Sequence, residues 1–574
     1  MSENATSKDG CVPASPEAAV EKVVVDETSL ANEPPSSPPV GAPIVPDANQ
    51  DDPPHYLDGR GTTPVELIFG LVGPIGVDLA AVRDSLTTQL NECGYEAVDI
   101  RLSDVIPHLG SKPVNRKNEF LRIDSLIKDG NALRQHSGEA DIVGRLGLTA
   151  IRDKRREISG AKDEPSKKRA VAYIIRSFKR KEEIELFRKT YGRAFTLISV
   201  YSPEVNRMQA LSRRFRGSNP EDITDFGPDV KPEVLAVHIM ERDYQEANED
   251  YGQRVGKAFP LADFFVTTEP RKALDDQLRR LVRLTLGDPY ISPSKDEQGM
   301  FFAQAAALRS LDLSRQVGAA ITSNSGDVLA TGCNEVPKFG GGLYWADDVH
   351  CSRDLEMGED ANVAIKKELV EDALALLKKN GFLNDKFKDT SEKDLAESIL
   401  FGKEGFFKNS KLFDVIEFGR ALHAEMAAIT QAATQGTSIK NARLYCTTFP
   451  CHICARHIVA AGISDVFFIE PYEKSRTADL YPDSIVIEPH VLSPSHSNFR
   501  AFVGVAPRRY MEYFQMSRDR KSEDGKTINL ATTARKPKFE RLIFSYIAVE
   551  KIFISEVERL LAKAKANIQA AEQT

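Results

Sequence analysis

Apolar positions along this chain fall into distinct textures, and each predicts a different kind of element. From Val65, VELIFGLV is a nearly unbroken apolar run of strand length, the pattern of a strand buried on both faces. GPIG follows, then helical spacing over 78–94, then YEAVDIRL as a second strand. RAVAYIIRSF (169–178) and RAFTLISVYSP (193–203) read as core strands. EEIELFRKTYG (182–192) and VNRMQALSRRF (205–215) read as helices, and FPLADFFVTT (259–268) as a final strand. Strands alternating with helices predict an α/β layer around a parallel sheet over 64–285.

A second α/β unit is predicted over 299–500. It opens with a helix over Phe301–Ser314. VGAAI and DVLATGCN then alternate with period two around a turn at Thr322–Gly326, which predicts a hairpin. ARLYC and DVFFIEP are short strands, with helical stretches after HAE and after PC. An insertion over 352–415 carries the helical run NVAIKKELVEDALALLKK. GDPYISPSKDEQG, 286–298, reads as a linker. Residues 501–574 read as a helical extension, with one long helix over 538–566 whose apolar face includes Leu542, Tyr546, Ile547 and Phe553. Residues 1–63 lose all periodicity. Ten of the 31 prolines lie in the first 62 positions among many acids and almost no aromatics, so the segment buries too little apolar surface to offset its ordering entropy and is predicted to be a disordered tail.

Composition narrows the function classes. A length of 574 residues suggests three or four domain-sized units. The net charge is −8 and no long basic stripe occurs, so nucleic acid is not expected as the main substrate. The seven cysteines are scattered apart from one CxxC, which predicts no disulfide framework and a reducing, cytoplasmic setting. No apolar run reaches membrane-spanning length, and no basic-then-apolar leader pattern begins the chain.

The chemistry concentrates between Ala421 and Gly462. His423-Ala424-Glu425 and Pro450-Cys451-His452-Ile453-Cys454 reproduce the H-x-E…P-C-x-x-C signature of zinc nucleobase deaminases. One imidazole and two thiolates are three ligands for Zn2+, which leaves the fourth tetrahedral position open. A CxxC at a loop-to-helix junction lets two sulfurs converge, and the positive helix end favours thiolate. His423 and Glu425 are expected on the first turn of another helix, with Glu425 as the catalytic acid/base. Two other readings stand beside this one. A closed structural zinc site would take His452 or His457 as a fourth ligand. A redox CxxC would leave HAE unexplained.

The first α/β unit resembles a P-loop nucleotide-kinase scaffold, with a degenerate loop. Aligned on Gly76, GxxxxGK[ST] would need Gly at Leu71, Lys at Val77 and Ser or Thr at Asp78. Gly73 and Gly76 remain as candidate nucleotide-binding positions, and a nucleotide effector is the expected partner there.

Val317-Gly318-Ala319, Gly332-Cys333-Asn334 through Pro337, His423 to Glu425, and Thr447 to Ala455 resemble the deoxycytidylate deaminase family within the cytidine deaminase superfamily. Joined to a kinase-like domain, the pattern resembles the bacterial anti-phage dCTP/dCMP deaminases. The resemblance implies a cytidine-deaminase-like α/β/α sandwich preceded by the P-loop kinase-like α/β domain, and a homo-oligomer. It implies hydrolytic deamination of dCMP, dCTP or both, in antiviral defence. Asn334 would bond the sugar hydroxyl, Thr447 would line the base pocket, and Arg315, Lys474 and Arg476 would meet phosphates. His350-Cys351 would be half of a second metal site. The rival readings are a deaminase of single-stranded nucleic acid, a nucleotide kinase with an accessory zinc domain, and a nucleotide-sensing scaffold with structural zinc.

Overall fold

The computed structural model describes residues 65–108, 118–160, 163–166, 169–217, 226, 230–246, 249–384, 387, 389–402, 410, 416–471, 475–489, 491–528, 537–539 and 543–572. The expected disordered tail and Lys474 lie outside the described residues.

In chain order the first elements are β1 (Leu67–Val72), α1 (Leu79–Glu92), β2 (Tyr95–Arg101), α2 (Glu119–Ser137), α3 (Ile142–Ser159), β3 (Ala170–Phe178), α4 (Lys181–Tyr191), β4 (Phe195–Tyr201), α5 (Glu204–Phe215), α6 (Pro232–Tyr244), α7 (Val255–Ala258), β5 (Phe264–Thr267) and α8 (Arg271–Thr285). The next are α9 (Lys295–Ala307), β6 (Gly318–Thr322), β7 (Val328–Cys333), α10 (Asp354–Met357), α11 (Ala361–Lys379), α12 (Glu392–Phe401), α13 (Ala424–Thr434), β8 (Arg443–Thr448), α14 (His452–Ala460), β9 (Asp465–Glu470), α15 (Thr477–Leu480), β10 (Ile485–Ile487) and β11 (Ser497–Ala501). The chain closes with β12 (Gly504–Val505), α16 (Tyr510–Phe514), α17 (Ile543–Ser555) and α18 (Val557–Glu572).

Two six-stranded sheets result, and parallel pairing dominates both. The first has the order β12-β5-β4-β1-β3-β2. Its five long-range neighbours pair in parallel except β12, which runs antiparallel to β5. β1 is buried at every position, as its continuous apolar run requires when helices cover both faces. One face packs Ile68, Tyr173, Ile175 and Phe187 against Tyr546, Ile547, Ile554 and Leu560 from the end of the chain. The other packs Phe69, Ile174 and Val200 against Leu86, Leu278 and Leu281.

The second sheet has the order β10-β11-β9-β8-β6-β7. The hairpin β6–β7 is antiparallel, β6 joins β8 antiparallel, and β8, β9, β11 and β10 follow in parallel. A shared apolar cluster of Phe259, Phe265, Met300, Tyr445, Phe467 and Phe502 joins the two sheets. The Tyr244 hydroxyl donates to the Pro471 carbonyl across the same junction at 3.2 Å.

Three boundaries differ from the sequence expectation. The helix expected over Phe301–Ser314 runs Lys295–Ala307, because Ser294 and Glu297 form a capping box that starts it within the expected linker. Glu297 is then held by Arg280 at 2.6 Å, and it accepts the Val505 N–H at 2.9 Å. The long helix expected over 538–566 is two helices that part at Glu556, whose carboxylate reaches Arg145 at 2.6 Å. The 501–574 segment, expected as an extension, supplies an edge strand and two helices to the first sheet.

A buried ionic cluster ties that last segment down. Arg155 bonds Glu66 on the strand side and Glu550 of α17, with Nη1 to Glu550 at 2.7 Å. The Tyr191 hydroxyl donates to Glu550, and the Tyr173 and Tyr546 hydroxyls donate to Glu66. Each buried charge here has an opposite partner and further hydrogen bonds, the condition under which such a group is tolerated.

Candidate metal centre

His423 and Cys451 are both N-cap residues, with extended φ/ψ, at the starts of α13 and α14. Cys454 lies one turn into α14. The loop-to-helix geometry therefore aims two helix N-termini at one point. His423 Nδ1 lies 3.2 Å from Cys451 Sγ and 3.3 Å from Cys454 Sγ. The three donor atoms lie within 4.8 Å of one another, and among the described residues they form the group able to hold a metal. The side chain of His457 turns to the Ile453 carbonyl at 2.8 Å, and His452 lies 3.7 Å from Glu417, so neither joins the group. His350 and Cys351 belong to no such group among the described residues.

The electrostatics suit thiolate ligation. Cys451 is lowered to about 4, first by the Cys454 thiol donating to it and then by His423. Cys454 is pushed up by the same partnership and by burial, and the hydrogen bond with Cys451, with the Cys451 charge adding to it, raises His423 against its burial. A soft donor pair with one imidazole, already converged, fits zinc.

Glu425, two residues past His423, is 4% exposed. Burial, with the Cys451 charge adding to it, raises its pKa above the ordinary carboxylate value. It lines a cavity of about 210 Å³ together with His423, Cys451, Asn334, Arg315 and Thr448. α13 reaches this position by packing directly on β7. A Cβ on Gly332 would come within 2.3 Å of the Ala424 carbonyl, so only glycine allows the approach.

The other sequence candidates separate. The Asn334 carbonyl oxygen Oδ1 accepts the Val317 N–H at 2.7 Å, and Nδ2 donates to the Arg315 carbonyl at 2.7 Å. Asn334 thus braces the 315–317 wall while facing the cavity. Arg315 lines the cavity and lies 3.5 Å from Glu470. Thr447 does not line it, because its hydroxyl accepts the Gly318 N–H at 3.1 Å. Side chains alternate along a strand, so Thr448 takes the place expected of Thr447. Arg476 is half exposed, 3.5 Å from Asp479, and is not part of the cavity wall. Gly73 and Gly76 line a different cavity in the first sheet.

Sequence reasoning missed one wall. Asp354, Asp360 and Asn362 come from the insertion and line the same cavity. Arg420, three residues before His423, fastens that wall by donating to Asp354 at 2.8 Å and to the Ser352 carbonyl at 2.7 Å. A pairing between segments 66 residues apart leaves no local periodicity by which to find it.

Residues 293–470 match the family model described as the cytidine and deoxycytidylate deaminase zinc-binding region. The deoxycytidylate deaminase of Enterobacteria phage T2 is 42% identical over 55 residues, 10% of this chain and 29% of that protein. The ComE operon protein 2 of Bacillus subtilis is 41% identical over 54 residues, 9% and 29% of the respective chains. A probable deoxycytidylate deaminase of Drosophila melanogaster is 41% identical over 64 residues, 11% and 30%. The chain thus spans under a third of the length of these curated relatives. The dCMP deaminase of cyanophage S-TIM5, solved with dCMP and dUMP, matches with 19% identity and a TM-score of 0.21, over 37% of this chain and 99% of that one.

Proposed function

We propose that the protein is a zinc-dependent hydrolase that converts a deoxycytidine nucleotide, dCMP or dCTP, to the deoxyuridine nucleotide and ammonia. The observation that carries the reading is the placement of buried Glu425 on the same cavity wall as the converged His423, Cys451 and Cys454. A closed structural site has no need of a buried carboxylate facing its ligands.

His423, Cys451 and Cys454 would hold the zinc ion, which when bound supplies Lewis-acid activation of water. The remaining steps belong to side chains of this chain. Glu425 accepts the proton that the attacking water gives up and delivers it to the cytosine ring nitrogen. It then carries a proton to the amine leaving C4. Its burial excludes bulk water from the transfer. Asn334 has one amide hydrogen and one oxygen lone pair beyond its bracing bonds, enough to meet a sugar hydroxyl. Arg315 is the described candidate cation at the cavity and is assigned the phosphate.

The acidic side chains Asp312, Asp354 and Asp360 on the wall favour a free nucleotide over a strand carrying flanking phosphates. The proposal extends to a homo-oligomer, supported by the exposed apolar Phe339, Trp345, Val349 and Met357. It also extends to a kinase-like first sheet and to cytoplasmic antiviral defence through dCTP depletion, which the sequence resemblance supports. Among the described residues no helix is long and apolar enough to cross a membrane.

The test is ammonia release from the zinc-loaded protein offered dCMP, dCTP, CTP, cytidine and single-stranded DNA, with Glu425→Ala as control. Turnover of dCMP or dCTP that the variant lacks is the expected result. Turnover of single-stranded DNA alone, or equal turnover by the variant, would overturn the proposal.

A further inference from the structure

The insertion reaches the cavity at Glu425 through α10, and α10 is weakly held. None of its residues is buried, and Leu355 and Met357 are 51% and 62% exposed. Gly358, at φ 77°, ends it, and Asp360 then caps α11. Burial therefore does little to keep this turn in place. Arg420 does more. Among the described residues it is the side chain from outside 351–358 that bonds the turn. Its Nη1 donates to Asp354 at 2.8 Å and to the Met357 sulfur, and its Nη2 donates to the Ser352 carbonyl at 2.7 Å.

Arg420 stands at the cavity without opening onto it. Its neighbours Gly419 and Ala421 line the wall, and so does its partner Asp354, whereas Arg420 itself does not. The guanidinium meets the wall through the Asp354 carboxylate.

The charge of the cavity gives this arrangement a consequence. Asp312, Asp354, Asp360 and Glu425 line it, and among the described residues the Lys or Arg lining it is Arg315, itself 3.5 Å from Glu470. Backbone N–H groups hold two of the acids. Asp312 accepts from Ser314 and Arg315, and Asp360 accepts from Asn362 and Val363. Asp354 is the acid held by a cation. A nucleotide phosphate brings about two negative charges at neutral pH, and Asp354 repels them. A guanidinium binds phosphate in a two-pronged fashion, while Asp354 holds Arg420 through Oδ1. An exchange of partners makes both effects favourable, because the phosphate gains Arg420 and the freed carboxylate leaves for water with α10.

We propose that α10 is a strap on the cavity wall, latched by Arg420 and Asp354, and that the phosphate of a substrate opens it by taking Arg420 from Asp354. The insertion thereby selects a phosphorylated substrate over the bare nucleoside. The proposal rests on the deaminase reading of this cavity and adds Arg420 to Arg315 as a partner of the phosphate.

The test is ammonia release from dCMP by the full-length, zinc-loaded protein, read as KM against kcat. Arg420→Gln is expected to raise KM about tenfold, the loss of a charge-assisted phosphate contact, with the effect in KM rather than kcat. Asp354→Ala is expected to lower KM about fivefold, because a part-exposed ion pair no longer competes for Arg420. A merely structural latch would move both variants in one direction, since either substitution breaks it. The wild type supplies a measurement without a variant. The Glu356, Met357 and Gly358 amides bond within the turn. Saturating dUMP, the phosphorylated product, is expected to speed their hydrogen exchange, and deoxyuridine is expected to leave it unchanged. A KM shift of the same sign in both variants, no shift in either, or exchange that dUMP leaves unchanged or slows would overturn the proposal alone. No ammonia from dCMP or dCTP in the wild type would overturn the deaminase reading and this proposal with it. Should Arg420→Gln fail to fold, Asp354→Ala and the wild-type exchange decide.

Discussion

Glu425 and Cys454 lie on the same small cluster, yet their replacement should read out differently. Glu425→Gln keeps the size and hydrogen bonding of the side chain while removing the proton acceptor. Deamination is expected to fall by about 10²–10⁴-fold, the usual worth of a general acid/base, with zinc content unchanged by metal analysis. Cys454→Ser removes a thiolate from the converged set and is expected to lose the metal itself. Equal metal content in the two variants would contradict the assignment. A different carboxyl, Glu488, supplies a pH-dependent signature. Its backbone sits at φ 50°, and burial raises its pKa from 4.5 to about 7 against the opposing pull of the Ala501 N–H, Arg500 and Tyr201. A carboxyl whose folded pKa lies above its unfolded value favours the folded state below about pH 4.5, and that advantage is lost as pH rises through about 7. Glu488→Gln is therefore expected to exceed the wild type in stability by about 2 kcal/mol at pH 8 and to match it near pH 4. Urea melts at the two pH values measure the difference, and a gain at both would remove burial of the charge as its cause.

At the scale of elements, α17 is the case where one side chain anchors a helix. Glu550 is 2% exposed and meets Arg155, which is 1% exposed, and the Tyr191 hydroxyl. Glu550→Ala leaves Arg155 paired with Glu66 but strips two of its buried N–H groups and the Tyr191 hydroxyl of their acceptor, and the expected loss is about 2–3 kcal/mol by chemical denaturation. Replacement of an exposed acid such as Glu558 in α18 is expected to cost under about 0.5 kcal/mol. A comparable small loss at Glu550 would show that α17 is held by its apolar face alone. The insertion is the other element with a consequence. Its Asp354, fastened by Arg420, lines the same cavity as Glu425, so the insertion and the start of α13 are mechanically joined.

For the whole molecule, the order of the sequence is not the order of the sheets. β12 and α17, which follow the second sheet in the chain, complete the first. Residues 65–292 expressed alone would expose β5 as an edge and uncover the apolar face beneath Tyr546, Ile554 and Leu560. That fragment is expected to lack a cooperative thermal transition. Co-expression with 503–574 is expected to restore one, and circular dichroism melts would check both. A cooperative melt of the short fragment would mean that the C-terminal segment is dispensable.

Much of this was legible in the chain as written, for a physical reason. Continuous apolar runs at 67–72 and 171–175, and the largely apolar run at 195–200, demand burial on both faces, and they fall in β1, β3 and β4. Alternation across Gly318–Cys333 specifies a hairpin, and H-x-E with P-C-x-x-C marks the starts of two helices, because ligand spacing and helix entry are local properties. The S-x-x-E box at Ser294 was equally local and was hidden only by the prolines and charges around it. What is not local left no trace in the pattern. The choice of Thr448 over Thr447 depends on which face of β8 meets α13, and that is set by the pairing of β8 with β6. The arginines that line the cavity at Gly73 and Gly76 lie on β2, α2, β3 and α5, and each alone reads as a solvated charge. Local periodicity and spacing determined the elements and the candidate metal ligands. The insertion's wall of the cavity at Glu425, the cationic cavity and the return of α17 to the first sheet were decided by long-range packing, since only burial against distant segments makes those side chains neighbours.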